Sequence, residues 1–354
     1  MIVPLRFPAL LLAACLAPAA CRSVPLGLQA GTAHLQVANP ARLPLSLAVV
    51  DGDEVRPLAE LGDAATHELD VAPGAYVLRA RTADGDLAIA APLLWNALPA
   101  DATLRVAVTP PPANAHRHDF AFVPAGPAVI GDTLGIGQED ERPVRIVDVP
   151  AFLLARSEVS NAEFIVFLDA VGQVDAGWCA FDSKKFRCAR DANGKWSTDA
   201  PDLPVVTVSL AGALAYCEWR TRVTGVRHRL PSEVEWEKAA RGPASFVFAY
   251  GNVYRRNAAN QESGTLRAKA RFGANGFGLW DMTGNAFEWT SDAWQDGKLH
   301  SARGEFQVLR GGSFVLDGMY LRNSFRMRQR PDVRTDDIGF RVARDLTDNR
   351  SPDR

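Results

Sequence analysis

Hydrophobic and polar positions divide the chain into two differently patterned parts. From residue 26 to 109 apolar and polar residues alternate in short runs, as in half-buried strands. Strands are predicted at Thr32–Ala38, Leu43–Val50, Ala75–Arg81, Leu87–Leu93 and Thr103–Thr109. Asp51-Gly52 and Asp84-Gly85 are tight-turn signals between two of the pairs, and Pro73-Gly74 opens the third strand. Tyr76, Leu78 and Ala80 share one face, and Val77, Arg79 and Arg81 share the other, wetter one. Five or more strands at this spacing suggest a small all-β sandwich. Pro110-Pro111-Pro112 then begins an extended linker over 110–118.

The second part, 119–346, mixes periods. Phe120–Gly131, Ile146–Val149 and Phe152–Leu154 read as strands. Ser160 with Glu163 is a capping box, followed by Phe164, Phe167, Leu168 and Val171 at helical spacing and by Gly172 as a stop. Ser209 caps a second helix ending near Gly225. Ser232 and Glu235 open a third, closed by Gly242. These helices are expected to pack on the sheet. From Gly276 onward neither period fits; Gly, Trp and Phe alternate with carboxylates and arginines, which suits irregular, tightly bonded structure. The whole reads as an α+β domain behind a β domain, with 347–354 a disordered tail.

Composition adds bounds. The 354 residues are 47% hydrophobic and 23% charged, with net charge −2, so the chain is globular and nothing global favours nucleic acid. Residues 1–20 carry Arg6 and an apolar run from Phe7 to Ala20, too short to span a bilayer, and read as a secretory signal. Leu12-Ala13-Ala14-Cys15 matches a lipoprotein cleavage box. Pro18-Ala19-Ala20-Cys21 matches less well at a more usual length. Lipidation at Cys21, or Cys15, is expected over plain cleavage near Ala19. It would place an exported protein at the periplasmic face or outer membrane, touching the membrane through its anchor alone. In that oxidising space Cys179 and Cys188 bracket a polar loop, and a disulfide there would add roughly 2–3 kcal/mol. Cys217, on an apolar helix face with Leu210 and Leu214, reads as an inert buried thiol. His116 and His118 could share a metal on a strand or simply begin the domain in water.

Gly278-Leu-Trp-Asp-Met-Thr-Gly-Asn-Ala-Phe-Glu-Trp-Thr290, Arg310-Gly-Gly-Ser313, Gly339-Phe-Arg341 and Arg229-Leu-Pro-Ser-Glu-Val-Glu-Trp-Glu-Lys-Ala-Ala-Arg-Gly242 stand in one order. From about Phe120 to Asp345 the chain resembles the formylglycine-generating enzyme (sulfatase-modifying factor) family. The resemblance implies that family's C-type-lectin-like domain, rich in irregular structure. It also implies a calcium site in which a side-chain oxygen, two carbonyls and a Glu meet in one turn. Carried across, these fall on Asp281, the carbonyls of Gly284 and Ala286, and Glu288; the alternative is that Asp281 and Glu288 cap turns or pair with arginines. A second calcium site would use Asn260, but its acidic loop is shortened between Glu262 and Arg271, so that site is expected to be missing.

The family's enzyme binds copper(I) through two cysteines three and eight residues after the Ser of Arg-Gly-Gly-Ser. Here Ser313 matches the Ser and the two positions are Leu316 and Leu321. Leucine ligates no metal, so neither copper nor formylglycine formation is expected. The iron-dependent branch needs a His-x-x-x-His-x-Glu pattern, which His34, His67, His116, His118, His228 and His300 do not form. Ser313, Asp317, Tyr320 and Arg326 are expected to line the family's groove. Arg322, Arg326, Arg328, Arg330, Arg334 and Arg341, interleaved with Asp332, Asp336 and Asp337, suggest internal pairing. Two readings follow. One is a lipid-anchored binding or assembly factor with a protein or peptide partner in the cell envelope. The other is an oxidoreductase of the family acting on a peptide or siderophore-type substrate, which other exported members also suggest.

Overall fold

The structure is a computed structural model and describes residues 33–82, 85–93, 103–111, 119–295 and 305–346. The signal with Cys15 and Cys21, most of the linker with His116 and His118, His300 and the tail lie outside the described residues. Among the described residues no helix is long and apolar enough to cross a membrane.

The N-terminal part is built from seven strands: β1 (Ala33–Ala38), β2 (Leu45–Asp51), β3 (Glu54–Gly62), β4 (Thr66–Val71), β5 (Gly74–Thr82), β6 (Gly85–Leu93) and β7 (Thr103–Ala107). They form a three-stranded sheet, β4-β1-β7, and a four-stranded one, β3-β2-β5-β6. The alternating residues meet between the sheets, where Leu35, Val37, Leu47, Leu78, Ile89 and Val106 form one buried cluster. Strands β3 and β4 escape the hydrophobic pattern because they are edges. Strand β3 is mostly exposed and carries Pro57 opposite Ala48, next to a register shift, which an edge strand tolerates. The turn between β2 and β3 uses Gly52 at φ +61°.

The wet face assigned to β5 is only partly wet. Val77 is buried, packed with Ala48 against Ala244 and, partly buried, Phe246 of the second domain. The tip of the β2–β3 hairpin is tied to the same domain. Asp53 accepts bonds from the backbone N–H groups of Asn252 and Val253 and pairs with Arg255, while Asn252 Nδ2 donates to the Gly52 carbonyl at 2.6 Å.

In the second domain the short strands β8 (Phe120–Val123), β9 (Gly126–Ile130), β10 (Arg145–Val149) and β11 (Phe152–Ala155) lead to α1 (Asn161–Val171). Then come β12 (Cys188–Arg190), β13 (Trp196–Thr198), α2 (Leu210–Thr224), β14 (His228–Arg229) and α3 (Glu233–Arg241). Strands β15 (Phe287–Ala293), β16 (Gln307–Arg310), β17 (Met327–Gln329), β18 (Ile338–Gly339) and β19 (Ala343–Arg344) complete it. The helix starts fall at the predicted caps. Ser160 and Ser232 form reciprocal capping boxes with Glu163 and Glu235, Ser209 accepts from Gly212 N–H, and Gly172, Gly225 and Gly242 end the helices at positive φ.

Helices α1 and α2 bury Phe164, Phe167 and Tyr216 against Phe340. Helix α3 is different, because its buried face is charged. Glu233 and Glu237 both meet Arg310, at 3.4 and 2.5 Å; Arg241 joins Glu237 and Arg326 joins Glu233. Arg322 closes on Glu141 at 2.6 Å. Of the late arginines expected to pair internally, Arg322 and Arg326 do so on Glu141 and Glu233, far upstream; of the interleaved aspartates, Asp332 meets Arg330 at 3.3 Å, Asp336 meets Lys185 and Asp337 accepts from Ser313. Buried charges of this kind survive only when paired and hydrogen-bonded.

Candidate functional site

The turn before β15 is held by backbone bonds. Gly284 N–H donates to the Gly311 carbonyl at 2.8 Å and Asn285 N–H to the Asn260 carbonyl at 2.9 Å. Gly284 sits at φ +76°, and a Cβ there would lie 2.3 Å from the Asn260 oxygen, so only glycine fits. Asp281 and Asn285 also take positive φ. Asp281 Oδ2 accepts from Ala270 N–H at 2.6 Å.

The residues assigned to calcium are only partly brought together as that assignment needs. Glu288 is fully buried, with each carboxylate oxygen 2.6 Å from an Arg341 nitrogen and Oε2 also accepting from Trp236 Nε1 at 2.6 Å. A cation at Glu288 would face a fixed guanidinium. Asp281, Gly284, Ala286 and Glu288 therefore do not fit a calcium ion as one set in this arrangement, and the Arg pairing weighed as the alternative is what Glu288 makes. Among the described residues no group of three or more His, Cys, Asp or Glu side chains is placed to hold a metal. Asn260, the other calcium candidate, is spent on Thr265, Asn285 and Ser263.

The four groove residues separate. Ser313 is buried and donates to Asp337 at 3.1 Å. Arg326 is buried on Glu233, lies 4.4 Å from the Trp294 ring centroid and donates to the Asp140 carbonyl. Asp317 is exposed and caps a short 3-10 turn through Met319 N–H, and Tyr320, 41% exposed, rests edge-on to Phe325. Only Asp317 and Tyr320 face solvent, so Ser313 and Arg326 are corrected to interior roles. Their motif positions could not tell a groove wall from the bonds behind it. At the two copper positions, Leu321 is 1% exposed and packs with Val247 and Phe248, while Leu316 and Tyr250 cover the cluster.

Cys179 and Cys188 are buried free thiols and not a disulfide. Cys188 Sγ points to Asn161 Oδ1 at 3.7 Å, and Cys179 lies in a bridge to Val208. The intervening segment looked like a loose polar loop, but Phe181, Phe186 and Trp196 make it a packed aromatic unit. Cys217 is buried as expected, and burial pushes its thiol up to about 12.

One residue without a sequence assignment stands out, Glu158. It is 1% exposed; Oε1 accepts from Asn285 Nδ2 at 2.9 Å and Oε2 has no hydrogen-bond partner among the described residues. Burial first, and then the charge of Asp281, hold its pKa well above the usual carboxylate range. Its only sequence signal is an acidic residue between the apolar strand β11 and the Ser160 cap.

Residues 106–346 match the sulfatase-modifying factor enzyme 1-like domain family. The chain is 31% identical over 284 residues to the formylglycine-generating enzyme of Bos taurus, covering 63% of this chain and 74% of that one. It is 31% identical over 278 residues to the inactive C-alpha-formylglycine-generating enzyme 2 of Mus musculus, covering 64% and 87%. The solved structure of PvdO from Pseudomonas aeruginosa aligns with a TM-score of 0.54 and 28% identity, over 64% of this chain and 94% of that one. With the domain match spanning more than half of its residues, the chain belongs to the sulfatase-modifying factor, or formylglycine-generating enzyme-like, family.

Proposed function

We propose that this chain is an exported, lipid-anchored member of the family that binds a ligand or assembles with a partner in the cell envelope, without copper-dependent formylglycine chemistry. One observation carries the reading: at the copper positions Leu316 and Leu321 belong to a hydrocarbon cluster with Val247 and Phe248. Copper(I) needs soft donors, and a methyl group offers none. The match to a relative named as inactive supports it. Anchoring through Cys21 or Cys15 rests on the N-terminal sequence alone. A calcium ion at Asp281 and the carbonyls of Gly284 and Ala286 would have to be held without Glu288.

The test is incubation of the purified full chain with a Cys-x-Pro-x-Arg peptide, copper(I) and oxygen, read by mass spectrometry. The peptide is expected unchanged and the protein free of stoichiometric copper. Aldehyde formation would overturn the reading. Stoichiometric copper or iron in the purified protein would favour the competing one, an oxidoreductase acting on a peptide or siderophore-type substrate. Cys21→Ala is expected to move the protein from the membrane to the soluble fraction of cells.

A further inference from the structure

A cleft of about 240 Å³, with neither Leu316 nor Leu321 in its lining, lies between the segment after β11, the middle of α2 and the Lys269–Ala270 loop. Glu158 lies in its lining, and its Oε2 is a buried oxygen without a donor. Leaving such an atom unmet is expensive, more so for a charged group. Asp281 and Glu288 add negative charge, and Arg341, the one cation among them, is committed to Glu288 through both carboxylate oxygens. Glu158 Oε2 is thus left for a small hydrogen-bond donor entering the cleft to meet.

The walls call for the opposite. Arg156, Arg220 and Lys269 line the same cleft. Among the described residues Arg220 Nε is buried without a partner, and Tyr216 lines the cleft with it. Lys269 pairs with Glu163 at 2.8 Å at the rim. Trp280 supplies an aromatic flank, 6.0 Å from Arg156. These three cations share the lining with Asp119, Glu158 and Glu163, and among the described residues no group of three or more His, Cys, Asp or Glu side chains is placed to hold a metal ion. A molecule bearing its own ammonium and its own carboxylate satisfies both ends at once, since a guanidinium takes a carboxylate through paired donors.

We propose that this cleft is a binding site for a small α-amino-acid-like zwitterion, its ammonium on Glu158 and its carboxylate on Arg220 with Lys269 or Arg156. The cleft volume suits an amino acid and excludes a folded peptide. The site is distinct from the Ser313 region and stands whether or not the chain forms formylglycine.

The experiment is a thermal-shift and calorimetric screen of the full chain against the free proteinogenic α-amino acids, with their N-acetyl and methyl-ester derivatives and calcium chloride as controls. At least one free amino acid is expected to raise Tm by about 3–5 °C at saturating excess. Its two blocked derivatives are expected to fail. Glu158→Gln, nearly isosteric, should abolish the shift while the protein still melts cooperatively. Arg220→Ala should weaken binding about tenfold or more and serves if Glu158→Gln does not fold. The proposal falls if no amino acid shifts Tm, if the N-acetyl derivative binds as well as its parent, or if calcium alone gives the Glu158-dependent shift.

Discussion

Arg341 and Glu288 are locked together in the interior, each carboxylate oxygen 2.6 Å from a guanidinium nitrogen and neither side chain exposed. Arg341 continues to the carbonyls of Ala155 and Trp280, so one pair ties β15 to the exit of β11 and to the Asp281 turn. Removing one partner strands the other charge. Glu288→Gln is expected to destabilise the fold by about 3–5 kcal/mol in urea unfolding. With Glu288 so engaged, the wild-type melting temperature is expected to be the same in calcium as in chelator. A calcium-dependent rise of several degrees would show that Glu288 leaves Arg341.

The hairpin tip at Asp53 joins the β domain to the Asn252–Arg255 loop. Asp53→Ala removes a charged acceptor from two backbone N–H groups. It is expected to lower stability by about 1–2 kcal/mol, because the site is partly exposed and water replaces part of the loss. Limited proteolysis should then cut more rapidly within 251–255; an unchanged digest would show that the apolar contact of Val77 with Ala244 suffices.

Lys238 on α3 is buried, donating to the Gly126 carbonyl at 2.8 Å, and burial lowers its pKa from 10.5 to about 7. Between those values the unfolded chain binds more protons than the folded one. Stability therefore rises with pH from about 7 to 10.5, by up to ~1.4 kcal/mol per pH unit from this group. Lys238→Met is expected to flatten that part of the profile in denaturation curves taken across it.

Burial also pushes the Cys188 thiol up to about 12 and Cys179 well above its ordinary range. Such thiols react slowly. A thiol reagent is expected to label neither, nor Cys217, in the native protein, and all three after unfolding. Two fewer reactive groups after unfolding without reductant would establish the Cys179–Cys188 bridge.

The caps were legible because a cap is a local bond. Ser160 and Glu163, three residues apart, can satisfy each other's backbone before any tertiary contact exists. The inner strands were legible because Leu35 or Leu78 alternates with polar neighbours. Strand β3 was not, since an edge with both faces wet leaves no hydrophobic period. The site was read less well. Motif matching located Asp281, Glu288, Ser313 and Arg326, but not which of these side chains were already spent.

By itself, then, the sequence determined the family and the helix boundaries, and placed Leu316 and Leu321 where the family motif puts its copper ligands, because these depend on residue identity and short spacing. The tertiary structure decided that Glu288 answers Arg341, that Ser313 and Arg326 turn inward, that Cys179 and Cys188 are buried thiols, and that Glu158 is left with an unmet oxygen. Those outcomes depend on partners 53 to 127 residues away for the first and last of them, and on how many donors reach each buried acceptor. Such a balance of charge and hydrogen bonds exists only once the chain has closed on itself.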